Sequence, residues 1–265
     1  MAKTVTTILD KIVADKRLEI AERELYRPLP ELVAAVANAS PSRSFLNAIV
    51  SASPIALIAE VKRASPTQGT IRNNFDPVAA AKAYQRGGAN CLSVLTDTPY
   101  FGGTLDDLVR VKQAIGLPVL RKDFVLSTYQ VWESRAAGAD AVLLIAECLN
   151  DAELFELHGL IVELGMTPLV ELYEESNVER VLKLHPQLVG VNNRDLRTFN
   201  VDLEHTLRIR QAIPAHIPLV SESGIASPQD VERLIAYQVQ AMLVGQSLMQ
   251  SPDIEAATRM LLTGL

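Results

Sequence analysis

The chain is poor in sulfur, poor in aromatics and carries no excess of positive charge. Its 265 residues include two cysteines, Cys91 and Cys148, far apart and outside any CxxC or mixed Cys/His cluster. That excludes a zinc-finger type of metal site and a disulfide scaffold, and it fits a reducing, cytoplasmic setting. With 31 acidic against 25 basic residues the net charge is -6. The positive field by which general nucleic-acid binders release counterions is therefore missing, no nucleic-acid partner is expected, and any anion site must be local. Apolar runs such as Ile55 to Ala59 and Ala141 to Ala146 fall far short of the ~20 residues that cross a bilayer, so no membrane partner is expected. Residues 1–10 (MAKTVTTILD) have no long apolar stretch behind a basic start, and no secretory signal is expected there.

What the chain does have is apolar residues at 48% against 21% charged, enough to bury a core. Eight short runs rich in Val, Ile and Leu recur from Ile55 onward. They are IALIAEV from Ile55, NCLSVLT from Asn90, LPVLRKD from Leu117, DAVLLIA from Asp140, TPLVEL from Thr167, LVGVNN from Leu188, IPLVSES from Ile217 and QAMLVG from Gln240. Such runs suit parallel strands buried on both faces, and the spacing of about 26 residues leaves room for one helix each. Asp76-Pro77, Ser127 and Ser227-Pro228 mark helix starts between them. Eight β/α units without a composition break predict one domain over 1–265, a (β/α)8 TIM barrel at 55–265 with an N-terminal helical extension at 1–54. An open doubly wound sheet is the alternative, weakened by the absence of a glycine fingerprint after the first run.

In the extension, Ile8, Leu9, Ile12, Val13 and Ile20 share one side of a helix, which suits either a packed brace or a cap over the barrel mouth. Pro28 and Pro30 interrupt it, and Ser40-Pro41 restarts a short helix carrying Phe45, Leu46 and Ile49.

Residues at the C-terminal ends of barrel strands face a common mouth. The first run ends in Glu60 and Lys62, two apart and so on one side of a strand. The third ends in Lys122, the fifth in Glu171, the sixth in Asn192 with Arg194 behind it, and the seventh in Ser221, Glu222 and Ser223. A single strand-end Lys or Glu is ordinarily where the chain meets water. Charges ending strands one, three and five together point instead to acid and base catalysis. Ser223-Gly224-Ile225 before Ser227-Pro228, and Gly245-Gln246-Ser247 after the eighth run, suit a phosphate held by backbone N–H groups between loops seven and eight. His158, His185, His205 and His216 fall away from the mouth, and Tyr129, Trp132 and Arg135 read as outer-helix packing.

The segments IAEVKRASPTQG (58–69), SVLTDTPYFGG (93–103), LRKDF (120–124), LVEL (169–172), VGVNNRDLRTFNVD (189–202), VSESGI (220–225) and LVGQSLM (243–249), in that order, resemble the indole-3-glycerol phosphate synthase family of tryptophan biosynthesis. The resemblance implies decarboxylating ring closure and dehydration of 1-(2-carboxyphenylamino)-1-deoxyribulose 5-phosphate, without cofactor or metal. It implies Lys122 as general acid, Glu171 as base or stabiliser of an iminium, Lys62 holding the substrate carboxylate or releasing water, and Glu60 and Asn192 positioning hydroxyls or removing the last proton. Ser65, Arg194 and Glu222 should line the same mouth, and Ser223, Gly224, Gly245 and Gln246 the phosphate site. The family's pattern often has Val-His where this chain has Leu172-Tyr173, and a small or acidic residue in place of Gln246.

An aromatic substrate ring needs an apolar wall, for which Phe124, Leu126, Leu143 and Phe45 are the candidates. The expected partner is thus a small phosphorylated molecule, taken by a monomer or weak homo-oligomer. A phosphoribosylanthranilate isomerase-like barrel, a Schiff-base aldolase using Lys122, and an inactive barrel kept for binding are the competing readings.

Overall fold

One-residue alternation along each strand sorts the barrel into an inner and an outer layer. The computed structural model describes residues 7–66, 68–72, 74–195, 197–198 and 200–263. Residues 1–6, on which most of the secretory-signal reading falls, and Thr67, Leu196 and Phe199 of the quoted motifs lie outside the described residues. The strands are β1 (Ala56–Val61), β2 (Ala64–Ser65), β3 (Gly69–Thr70), β4 (Cys91–Leu95), β5 (Val119–Lys122), β6 (Ala141–Ile145), β7 (Thr167–Leu172), β8 (Val189–Asn192), β9 (Leu219–Glu222) and β10 (Ala241–Val244). β1 and β4 to β10 form a closed parallel barrel. β1 pairs with β4 on one side and with β10 on the other, in register Ala56↔Ala241 to Ala59↔Val244, so the open-sheet alternative is excluded. All eight apolar runs are the eight barrel strands. The antiparallel hairpin β2–β3 lies outside the sequence expectations, although Pro66 after β2 and Gly69 at the start of β3 are its turn signal.

Leu57, Ala59, Leu92, Val94, Val142, Leu144, Val170, Leu172, Val189 and Val191 point outward under the helices. Ala56, Ile58, Cys91, Leu120, Ala141, Leu143, Leu169, Val220, Ala241 and Leu243 fill the interior. The interior is thus packed below, as a barrel of this size requires, with Ser93 and Thr167 the small polar residues within it, while Glu60, Lys122, Glu171, Asn192 and Glu222 continue the inward series at the C-terminal ends. Asp76, Ser127 and Ser227 cap their helices as expected, accepting from the backbone N–H of Val78, Gln130 and Asp230.

The extension contains α1 (Ile8–Tyr26), α2 (Leu29–Ala37) and α3 (Phe45–Val50). One expectation holds and one needs correction. Pro28 and Pro30 do interrupt the first helix, Pro28 as the N-cap of α2 and Pro30 in its first turn, where the missing N–H costs nothing. α3 starts from Ser44, whose hydroxyl accepts from Asn47 N–H, rather than at Ser40-Pro41. The outer-helix residues tie the extension down. The Tyr129 hydroxyl donates to the carbonyls of Arg23 (3.1 Å) and Arg27 (3.0 Å) at the end of α1, and Arg135 donates to Ser40 O (2.7 Å). Among the described residues no helix is long and apolar enough to cross a membrane.

Candidate active site

The inward side chains at the strand ends meet in a cavity of about 410 Å³. β5 supplies Lys122 and β7 supplies Glu171, with Lys122 Nζ 2.9 Å from Glu171 Oε2 and 3.1 Å from a carboxylate oxygen of Glu222 on β9. Asn192, on β8 between those two acids, donates to Glu171 Oε1 (3.1 Å), and its own oxygen accepts from the Arg194 backbone N–H (3.0 Å). On the opposite wall Lys62 Nζ lies 2.6 Å from Glu60 Oε1, the same-side pair that the i, i+2 spacing predicts. Two lysine–carboxylate pairs therefore face one cavity.

Two glycines make room for these acids. A Cβ on Gly190 would stand 2.5 Å from Glu222 Oε1, and one on Gly245 would stand 2.4 Å from Glu60 Oε1. Gly190 was not singled out in the sequence, although a glycine inside a strand run signals a close approach of this kind. Gly245, expected only in the anion loop, also seats Glu60.

Charge sets the protonation of the cluster. Burial favours the free amine of Lys122, but the carboxylates of Glu171, Glu222 and Glu60 outweigh it and raise the lysine's pKa. Burial likewise favours the neutral acid at Glu171, yet the Lys122 ammonium and hydrogen bonds from Lys122, Glu222 and Asn192 hold it below its ordinary value. At Glu222 burial wins over the attraction of Lys122 and, aided by the Glu171 charge, pushes the pKa up to about 8. Of the two acids beside Lys122, Glu222 is thus the one whose protonated form burial favours, and Glu171 the one held ionised.

The remaining site residues fall as follows. Ser65, on the β2–β3 hairpin, and Arg194, half-buried behind β8, both line the cavity. Burial pulls the Arg194 pKa down from its ordinary value. Ser223, Gly224, Gly245 and Gln246 line its rim together with Ile225, Ala226 and Ser247. Ser223 and Gly224 take consecutive left-handed conformations, φ 69° and 85°. That geometry turns successive N–H groups to one side, and among the described residues no acceptor takes the N–H of Gly224 or Ile225. The Ser247 hydroxyl donates to Ile225 O (3.1 Å) and joins the two loops.

The apolar wall is only partly as expected. Phe124 and Leu143 line the cavity, but Phe45 and Leu126 do not. Phe45 is buried at the other end of the barrel beside Cys91, the first residue of β4, and Leu126 turns outward into the layer beneath the helices. Their places are taken by Ile8, Leu9 and Ile12 from α1, Phe101 from the loop after β4, and Ile145. Phe101 and Phe124 pack ring to ring with centroids 6.3 Å apart. No histidine lines the cavity; His205 stacks on Tyr173, outside it. Among the described residues no group of three or more His, Cys, Asp or Glu has the arrangement of a metal site.

Comparison with known proteins bears on the fold and the family. Among solved structures, thiamine phosphate pyrophosphorylase from Pyrococcus furiosus superposes with a TM-score of 0.59 at 16% identity, covering 78% of this chain and 94% of that one. N-acetylmannosamine-6-phosphate 2-epimerase from Clostridium perfringens gives 0.61 at 15% identity, covering 79% and 93%. At those identities the likeness shows the fold alone. In sequence, indole-3-glycerol phosphate synthases are 50% identical over 97% of this chain and 99% of the relative (Rhodopirellula baltica) and 46% identical over 96% and 98% (Paracidovorax citrulli). The family model described as indole-3-glycerol phosphate synthase matches residues 9–261, and the chain belongs to that family of carboxy-lyases.

Proposed function

We propose that the chain catalyses the decarboxylating ring closure and dehydration of 1-(2-carboxyphenylamino)-1-deoxyribulose 5-phosphate to indole-3-glycerol phosphate. The observation that carries the reading is the Lys122–Glu171 contact at the base of a cavity with an apolar aromatic wall on one side and an anion loop on the other. The phosphate sits against the N–H groups of Ser223, Gly224, Gly245 and Gln246, and the phenyl ring lies against Phe101, Phe124 and Leu143. This leaves the ribulose carbonyl between the two lysines.

The ring carbon bearing the carboxylate attacks that carbonyl, whose oxygen gains negative charge and takes the Lys122 proton. The electrons come from the anilino nitrogen, so an iminium cation forms next to Glu171. As the carboxylate's field is shared with this cation, its hold on the Lys122 proton weakens at the moment the proton is needed. Carbon dioxide then leaves with its bonding electrons returned to the ring. The new hydroxyl departs as water with a proton from Lys62, and Glu60, held beside Lys62, takes the last ring proton. Asn192 fixes the orientation of Glu171, while Ser65, Arg194 and Glu222 contact the substrate's carboxylate and hydroxyls. No cofactor enters this sequence of steps.

The test is a steady-state assay with this substrate, following indole fluorescence. Product formation supports the reading. Isomerisation at constant mass, or a borohydride-trapped adduct on Lys122, would replace it with the isomerase or aldolase reading.

A further inference from the structure

Lys16 is a lysine on the apolar face of α1, in line with Ile12 and Ile20, and its side chain is 2% exposed. Its ammonium lies 2.8 Å from Glu19, 2.9 Å from Asp97 and 3.0 Å from Asp123. These contacts belong to a closed ring of alternating charge. Asp123 pairs with Arg121 (3.0 Å), Arg121 with Glu133 (2.8 Å), Glu133 with Arg23 (3.0 Å), Arg23 with Glu19 (2.5 Å), and Glu19 with Lys16 again. Arg121 and Asp123 are wholly buried, and Thr96 donates to Asp123 (2.6 Å). The ring joins three pieces of chain: α1, the end of β5, and the helix Thr128–Ala136 that follows it.

Arg121 of β5 and Asp123, the residue just past its end, flank Lys122 in this ring. The ring holds Arg121 on the outer face of β5 and Asp123, which with Asp97 also borders the cavity, on either side of the inward-aimed Lys122. Asp97 extends the hold. Its carboxylate caps the short helix Thr98–Phe101 by accepting from Tyr100 N–H (2.8 Å), and the Tyr100 hydroxyl donates back to Asp15 of α1. That helix ends in Phe101, which packs on Phe124, the residue after Asp123. One buried ammonium thus meets both the strand end that carries the acid and the turn that carries the aromatic wall.

We propose that Lys16 is a positioning residue for the ring closure, fixing Lys122 through Asp123 and the Phe101–Phe124 wall through Asp97. The inference rests on the reaction assigned above. It makes α1 a fixed brace whose first turns, with Ile8, Leu9 and Ile12, also roof the cavity. A hydrophobic substitute for Lys16 alone would strand Asp97 without a counter-charge and leave Asp123 with Arg121 alone. The test variant is therefore Lys16→Met with Asp97→Asn, which keeps the charge balance and an N-cap of equal quality.

The expected result is a fall in kcat of about tenfold or more, per titrated active site, with KM changed by less than about threefold. Amide hydrogen exchange across residues 119–126 should also quicken. A per-site kcat within about twofold of the parent, with only the melting temperature lowered, marks Lys16 as merely structural and overturns the proposal. If the double variant fails to fold, Asp97→Asn alone is measured: a kcat loss of about threefold at unchanged KM is expected, and an unchanged kcat overturns it. Should the parent enzyme release no indole product, the assigned reaction fails. Unaltered exchange rates across 119–126 refute the hold of Lys16 on Lys122 independently of the reaction.

Discussion

Lys122 Nζ lies 2.9 Å from Glu171 Oε2, although their strands are separated by β6 and the residues by nearly fifty positions of chain. In the proposed reaction this contact joins the acid that donates where negative charge develops to the carboxylate beside which positive charge develops. Lys122→Met removes the donor while leaving the anion loop and the aromatic wall in place. Turnover should drop by about 10²-fold or more with KM little changed, because the lost interaction is made in the transition state. Steady-state kinetics checks it, and a variant with near-normal kcat would remove Lys122 from the acid's role.

Glu222 gives a pH signature. With its pKa pushed up to about 8, its neutral form is favoured below that value; above it, a second carboxylate appears beside that of Glu171. The free-enzyme profile of kcat/KM should therefore descend through about pH 8. In Glu222→Gln, which is always neutral, that descent should be absent while activity at pH 7 is retained.

The same group sets a stability trend. A carboxyl whose folded pKa lies above its unfolded 4.5 binds the extra proton in the folded state, so its contribution is full below pH 4.5 and is lost as the pH rises to about 8. The melting temperature of Glu222→Gln relative to the parent should accordingly rise between pH 5 and pH 9. A pH-independent difference would show that Glu222 is charged in the folded protein at neutral pH.

Two glycines of the anion loops should respond differently. Gly224 has φ 85°, and a Cβ there would meet only a Val201 side-chain methyl at 2.6 Å. Gly224→Ala strains the loop by about 1–2 kcal/mol and should raise KM roughly tenfold at nearly constant kcat. Gly245→Ala pushes a methyl into Glu60, 2.4 Å away, and should lower kcat as well. Equal effects of the two substitutions on kcat would show that Glu60 has no part in turnover.

Much of this was legible in the chain because a strand buried on both faces must be apolar along its length, and the eight runs found that way are the eight barrel strands. Glu60 and Lys62 were legible as a pair because i, i+2 residues share a face. The Lys122–Glu171–Glu222 contact was legible only as a convergence on one mouth, since its distances depend on the stagger between strands. Phe45 and Leu126 misled because an apolar residue satisfies either layer, and only register decides which. Lys16 was passed over, yet its place on the Ile12–Ile20 stripe was the signal: a lysine on a buried face needs buried partners.

The most direct measurement uses substrate labelled at the aryl carboxylate and counts labelled carbon dioxide against indole product in a single turnover, for the parent and for Lys122→Met. The expected result is one carbon dioxide per indole from the parent and neither from the variant on the same time scale. Carbon dioxide released without indole, or equal yields of both from the Lys122→Met enzyme, would contradict the assignment of proton donation during ring closure to Lys122.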